Sequence, residues 1–355
     1  MAQNRALRYI GWLLRVNRRL GGVRELRSGR GFARAFRTRA TQPLAPSHIT
    51  RWENGTLTAG RPTIRRYEHL LGLPAESLVT VADWVLRMEN VGVVRSAVPR
   101  PDPDADRQQL YDLLDRASTG AEMTGVAWGR LVDLVALRPE LELYPPRLWE
   151  ELAGRLLDEL VVARNVAWFQ RQEAMCGLLE HPAARRHAIA ACIALVDDRS
   201  SPAAIEPLSL LDVTAHAAAN RYVLGKIRSP DDERVMHGAL RTLTNLDVDI
   251  HRPLLYRILV EAGFGMGIRH AAAWAMPYCR GRHPVPQWRR ILDVQRTAWR
   301  QAPSALCESI LHGVAYGIGT DGHRGLLAEI RDDVTLPPAA RTTASWLLRT
   351  GVVHR

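Results

Sequence analysis

Ser47, His48, Thr50, Arg51 and Asn54 fall in one short stretch between Ala45 and Gly55, and each carries a group that exchanges hydrogen bonds with a base edge or a phosphate. Pro46 at the start and Asn54-Gly55 at the end predict a helix over residues 46–54. Ile49 and Trp52 share one face of that helix and are expected to anchor it inward. Ser47 and His48 then occupy its first turn, with Thr50 and Arg51 further on. A helix of this width fits the major groove of DNA, where its leading side chains reach base edges. Arg51 is of the type that bonds guanine O6 and N7 together, worth about 1–3 kcal/mol of discrimination. Ser47 and His48 both donate and accept, and Thr50 offers a hydroxyl and a methyl. Upstream, Arg34 and Arg37 suit a phosphate clamp, which fixes register without reading sequence.

Such a helix needs others to hold it. Leu7, Ile10 and Leu14 predict an amphipathic helix closed by Gly21-Gly22. Phe32 and Phe36 predict a second, over residues 31–39, and Thr41-Gln42-Pro43 breaks the chain before the polar helix. Ile64, Tyr67, Leu70 and Leu71 mark a fourth, closed by Gly72 and Pro74; Leu78, Val81, Ala82, Val85 and Leu86 mark a fifth. Charge points the same way. Residues 1–100 hold eighteen Arg, no Lys and six acidic residues, a net of +12, against +11 for the whole chain, so residues 101–355 carry −1. A basic pI alone would equally suit a membrane surface or an acidic partner. Confinement of the charge to one segment suits a module that neutralises phosphates.

Three of these stretches resemble the lambda-repressor-like helix-turn-helix regulators, the Cro/cI or XRE type. Ile10-Gly11-Trp12-Leu13-Leu14-Arg15-Val16-Asn17-Arg18 looks like the first helix of that family. Ser47 to Gly55 looks like its recognition helix with the turn after it, and Ile64 to Leu73 like its fourth helix. The resemblance covers about residues 5–80. It implies that Asn54 contacts the phosphate backbone, and that Glu53 forms a structural pair with an arginine of the first helix, here Arg18. It also implies double-stranded DNA as partner and a homodimer on an inverted repeat. The chain departs from the family in three places. Val23 to Arg30 looks inserted, Arg37 stands where the family usually has Ala, and the turn from Thr41 to Leu44 is long.

Beyond Val98-Pro99-Arg100-Pro101-Asp102-Pro103-Asp104, read as a stiff linker, the chain is patterned as helix nearly throughout. Leu148, Leu152, Leu156 and Leu160 recur every fourth residue, and Ala-rich blocks return at 187–195, 269–275 and 339–348. The expected fold is all-α: an N-terminal five-helix lambda-repressor-like domain over 1–96, a linker over 97–107, and a HEAT-like α-helical repeat domain over 108–355. The four cysteines are far apart, and the histidines show no ligand spacing with acids, so no metal and no cofactor are expected. The glycine clusters at 263–267 and 317–322 follow no β-run and read as turns, and Asp197-Asp198, Asp231-Asp232 and Asp332-Asp333 read as helix starts and loops. No signal peptide or membrane span is apparent, and a cytoplasmic protein is expected. The resulting expectation is a sequence-specific transcriptional regulator, not an enzyme. Because the first domain offers few obvious apolar surfaces, its dimer contact is placed in the C-terminal helices, which are also where a small-molecule or protein effector would act. The alternatives are a DNA-targeted enzyme that uses the C-terminal acids, and a helical-repeat interaction scaffold.

Overall fold

The computed structural model describes residues 2–36, 44–88, 103–214, 216–228, 232–243, 252–261, 263–278, 284–301, 305–316 and 321–350. Among these residues there are nineteen α-helices and no strand. No helix among them is long and apolar enough to cross a membrane. Packing divides the chain into two compact units, Met1–Asp197 and Asp198–Arg355.

The first unit begins with five helices, here called the head: α1 (Ala2–Leu20), α2 (Gly29–Ala35), α3 (Pro46–Glu53), α4 (Arg61–Leu71) and α5 (Ser77–Met88). They close on one core that includes Ile10, Leu14, Phe32, Ile49, Ile64, Tyr67 and Leu78. Ala6, Ile10 and Leu14 form the buried stripe of α1, and Leu7, expected in that stripe, is only half-buried. α2 starts and ends earlier than the expected 31–39. Ser28 caps it by accepting the Gly31 N–H at 3.0 Å, and Phe36 ends it. The Ser28 cap fixes the start, and Phe32 and Phe36 are buried as anticipated. The apparent insertion contains a 3₁₀ turn, Arg24–Arg27, which tucks Leu26 into the core.

α1 and α3 cross backbone to backbone. A Cβ built on Gly11 would lie 2.6 Å from the Trp52 carbonyl oxygen and 2.8 Å from that of Glu53. Gly55, just past α3, has φ +69°, and a Cβ there would meet the α1 backbone at Leu7. Both positions therefore exclude a side chain, and the second also needs the left-handed region. At the other end of the head, the Glu68 carboxylate of α4 accepts the N–H groups of Glu76, Leu78 and Val79 at 2.9, 2.6 and 3.0 Å, capping α5 from a neighbouring helix.

Five more helices complete the unit: α6 (Pro103–Ser118), α7 (Gly125–Ala136), α8 (Arg147–Val162), α9 (Asn165–Glu180) and α10 (Arg185–Asp197). α9 packs on α7, α8 and α10, and α5 packs on α9, so the head shares its unit with these helices. Pro103 to Arg107, assigned to a linker on sequence, begin α6. Asp104 and Asp106 lie in its first turn, where the helix dipole favours acids, so the run that looked like a spacer is a helix start. The rest of the expected linker lies outside the described residues.

The second unit contains α11 (Ile205–Val213), α12 (Ala217–Arg228), α13 (Glu233–Thr242), α14 (Arg252–Val260), α15 (Met266–Ala275), α16 (Val285–Gln301), α17 (Ala305–Tyr316), α18 (Asp321–Asp332) and α19 (Pro338–Thr350). The odd-numbered helices pack in succession, α11 on α13, α13 on α15, α15 on α17 and α17 on α19. α14, α16 and α18 pack in their own row. Small residues permit this closeness: Ala271, Ala272, Ala273 and Ala275 of α15 are all buried, and Gly313 leaves room for the Trp288 ring. Gly265 starts α15, whereas 317–320 lie outside the described residues. The aspartate pairs divide. Asp232 caps α13, whereas Asp197 and Asp332 end their helices; Asp198 and Asp333 each bond the residue two further on, Ser200 and Thr335.

Candidate nucleic-acid interface

α3 is a short helix whose two faces differ completely. Inward, Ile49 is 1% exposed and Glu53 is 4% exposed. Trp52 packs its ring on Phe36, 5.2 Å between centroids, and Phe36 and Phe32 in turn contact Tyr67. Outward, Ser47, Thr50, Arg51 and Asn54 are all exposed. Pro46 stands in the first turn, where a missing N–H leaves nothing unsatisfied.

Glu53 is the hub that fixes the orientation of this helix. Arg18 of α1 reaches it with two nitrogens, Nε to Oε1 at 2.5 Å and Nη2 to Oε2 at 2.7 Å. The remaining nitrogen of Arg18, Nη1, donates to the Arg27 carbonyl in the 3₁₀ turn. Tyr67 of α4 donates its hydroxyl to Glu53 at 3.3 Å. The bond to Glu53 holds the Arg18 guanidinium above its ordinary value against the burial that opposes its charge. Burial, with the Glu53 charge beside it, likewise pushes the Tyr67 hydroxyl up. The pairing of Glu53 with Arg18, implied by resemblance, is therefore present as a buried bidentate bridge.

The expected site residues are not equally placed. Arg51 and Arg34 are exposed, with no hydrogen-bond or ion-pair partner for their side chains among the described residues. Thr50 is exposed, but its hydroxyl donates back to the Pro46 carbonyl at 3.3 Å, leaving the methyl and the oxygen lone pairs outward. His48 is less outward than anticipated: it is half-buried, 6.2 Å from the Trp52 ring, and its Nδ1 has no partner among the described residues. Arg37 lies outside the described residues. Asn54 accepts from Arg15 Nη1 at 3.4 Å, which brings a further cation of α1 beside the end of α3. In the sequence Arg15 stands out only as part of a motif; its place two turns below Leu7, the residue whose backbone Gly55 abuts, is a three-dimensional fact. The head also carries outward apolar side chains that composition hid, Tyr9, Trp12 and Leu20, all on α1.

No group of three or more His, Cys, Asp or Glu that could hold a metal ion occurs among the described residues. His181 and His187, both buried, are engaged with the Arg138 carbonyl and the Glu150 carboxylate. Of the seven tryptophans beyond residue 100, Trp128, Trp149, Trp288 and Trp299 are core. No protein-family model matches the chain, and no curated protein matches it significantly.

Proposed function

We propose that this chain is a sequence-specific DNA-binding transcriptional regulator that inserts α3 into the major groove. One observation carries the reading: α3 is locked from behind by Ile49 and the Glu53–Arg18 bridge while Ser47, Thr50, Arg51 and Asn54 are exposed in front, the Ser47 hydroxyl and the Arg51 guanidinium without a partner among the described residues. A groove-reading helix needs that division, because base contacts demand a fixed register and uncommitted donors. Arg51 is assigned the guanine contact, Arg34 and Asn54 the phosphates, and Arg15 joins them through Asn54. A single head reads one half-site, so the reading includes a homodimer on an inverted repeat. The successive packing of α11, α13, α15, α17 and α19 supports a HEAT-like repeat for the C-terminal region, in the role of dimerisation or signal reception.

Genome-wide footprinting of the wild type beside Arg51→Ala tests this. Discrete palindromic sites, lost or relaxed at one position in the variant, are expected. Occupancy that depends on salt but ignores sequence in both proteins would overturn it.

A further inference from the structure

The exposed large apolar side chains of the head gather on one element. Among its described residues they are Tyr9, Trp12, Leu20 and Val23, between 41% and 77% exposed, all on α1 or the turn after it. A helix advances about 100° per residue, which fixes their order round α1. Gly11 faces α3; next come Arg15, Arg8 and Arg19, then Trp12 and Arg5, then Val16, Tyr9 and Leu20, and last the core residues Ala6, Ile10 and Leu14. An arginine row therefore runs beside α3, and an apolar row runs beside the arginines. α1 contains no acidic residue to match that row. Arg15 reaches Asn54 at 3.4 Å, so the arginine row continues the exposed face of α3.

Folding does not need this arrangement. Single apolar residues on a surface are ordinary, whereas several along one helix face mark a contact. The other side of the head is already closed, since α5 packs on α9 and Arg61 and Arg87 reach Asp133 and Glu173. The exposed area of the four side chains is on the order of 400 Å² per copy, half of the ~800 Å² that each partner gives to a stable complex. A contact of that size does not hold two chains together by itself. It works where something else already brings them side by side.

We propose that the apolar row of α1 is where two copies of this chain meet on DNA. The inference rests on the DNA reading and moves its dimer contact from the C-terminal helices to the head. Two α1 helices pair antiparallel about a two-fold axis perpendicular to both, with Tyr9 of one copy opposite Leu20 of the other. That axis turns both arginine rows to the same side, the side of α3. In free solution the two rows repel each other, and on DNA the phosphates offset them. The pairing is therefore conditional on the polyanion. An acidic helix from another protein would also fit this face, but it would neutralise the arginines beside α3 that the DNA reading uses.

The test is titration of the full chain against duplexes that carry one or two of the half-sites defined by footprinting. The second half-site is expected to fill on the order of tenfold more tightly than a lone one. The double variant Tyr9→Ser with Leu20→Ser keeps the charge and alters only surface positions. It is expected to bind a lone half-site as the wild type does and to lose the gain at two. A benzophenone photo-crosslinker in place of Leu20 gives a second readout. It is expected to yield a covalent dimer only when DNA is present, with the link near Tyr9 of the second copy. No gain at two half-sites, a gain that the double variant keeps, or a link to any element other than α1 assigns the row to another occupant. Each overturns the proposal and leaves the DNA reading standing, whereas failure of the wild type to bind a lone half-site overturns both.

Discussion

Arg18 and Arg51 sit on crossing helices of the same head and share a guanidinium, but their surroundings are opposite. Arg18 is 5% exposed and spends its nitrogens on Glu53 and a carbonyl, while Arg51 is exposed and its guanidinium has no partner among the described residues. The same contrast runs through the whole head. Arg61, Arg65 and Arg87 are neutralised by Asp83, Asp133, Glu76, Glu173 and Glu180 on the α4–α5 side, whereas Arg15 of α1, Arg34 of α2 and Arg51 of α3 have no acidic partner among the described residues. A net charge of +12 over residues 1–100 therefore mixes cations that build the domain with cations available to a polyanion. Packing, not composition, sorts them. The α4–α5 side is tied to α7 and α9, whereas the polar face of α3 presents Ser47 and Arg51 with no side-chain partner among the described residues.

Removing one partner of a buried bridge should show the largest effect. Glu53→Ala leaves the Arg18 guanidinium buried without its carboxylate, and a loss of about 3–5 kcal/mol in unfolding free energy is expected. Urea denaturation monitored by tryptophan fluorescence measures it; a loss below about 1 kcal/mol would make the bridge ornamental and remove the reason for a fixed α3. Gly11→Ala comes next. Its Cβ would enter the α3 backbone, so a loss of about 1–3 kcal/mol is expected together with weaker DNA binding, since the helix is displaced. Arg51→Ala should invert that pattern. Stability is expected to stay within about 0.5 kcal/mol, while affinity for the cognate site falls by about 1–3 kcal/mol and discrimination at one base pair is lost. A variant that destabilises the fold but binds DNA normally would erase the distinction between the two arginines.

How much of this was legible in the sequence depends on the range of the forces involved. The five head helices were readable because the period of Ile10, Leu14, Ile64, Tyr67 and Leu71 is local, and the stops at Gly21, Gly55 and Gly72 are local too. The start of α2 was missed although Ser28 offers a cap, because the aromatic pair lies downstream of it and suggests a later helix. The run from Pro103 to Asp106 was misread for a related reason: proline and aspartate mark both spacers and helix N-termini, and only the residues after them decide between the two. Three things had no local signal. These are the turning-in of His48 beside Trp52, the approach of Arg15 to Asn54, and the ties from Arg61 and Arg87 to α7 and α9. Each depends on residues distant in the chain. Gly11 was half legible, since a glycine inside an amphipathic helix suggests a close approach without naming the neighbour.

The finest version of the comparison concerns two carboxylates that do the same job, Glu68 and Asp232. Both accept backbone N–H groups at a helix start, Glu68 for α5 and Asp232 for α13, where Arg234 and Val235 donate at 2.9 and 3.3 Å. Their titration shifts in opposite directions. Burial raises Glu68 above the usual carboxylate range, with the nearby Glu76 charge adding to it, more than its three donors lower it. Burial works the same way on Asp232, but less than the Val235 N–H and the Arg234 side chain, which together lower it. For Glu68, whose folded value is raised, the stabilising effect is complete below the unfolded value of about 4.3 and fades as pH rises through the folded value. For Asp232, whose folded value is depressed, it is complete above about 3.9 and fades as pH falls through the folded value. Measured as the unfolding free-energy difference from wild type between pH 7 and pH 3, Glu68→Gln and Asp232→Asn should therefore slope in opposite senses. The difference for Asp232→Asn should stay under about 1 kcal/mol, because asparagine caps nearly as well. Slopes of the same sign would mean that burial at Glu68 does not outweigh its three donors, and that the two caps differ in position but not in physics.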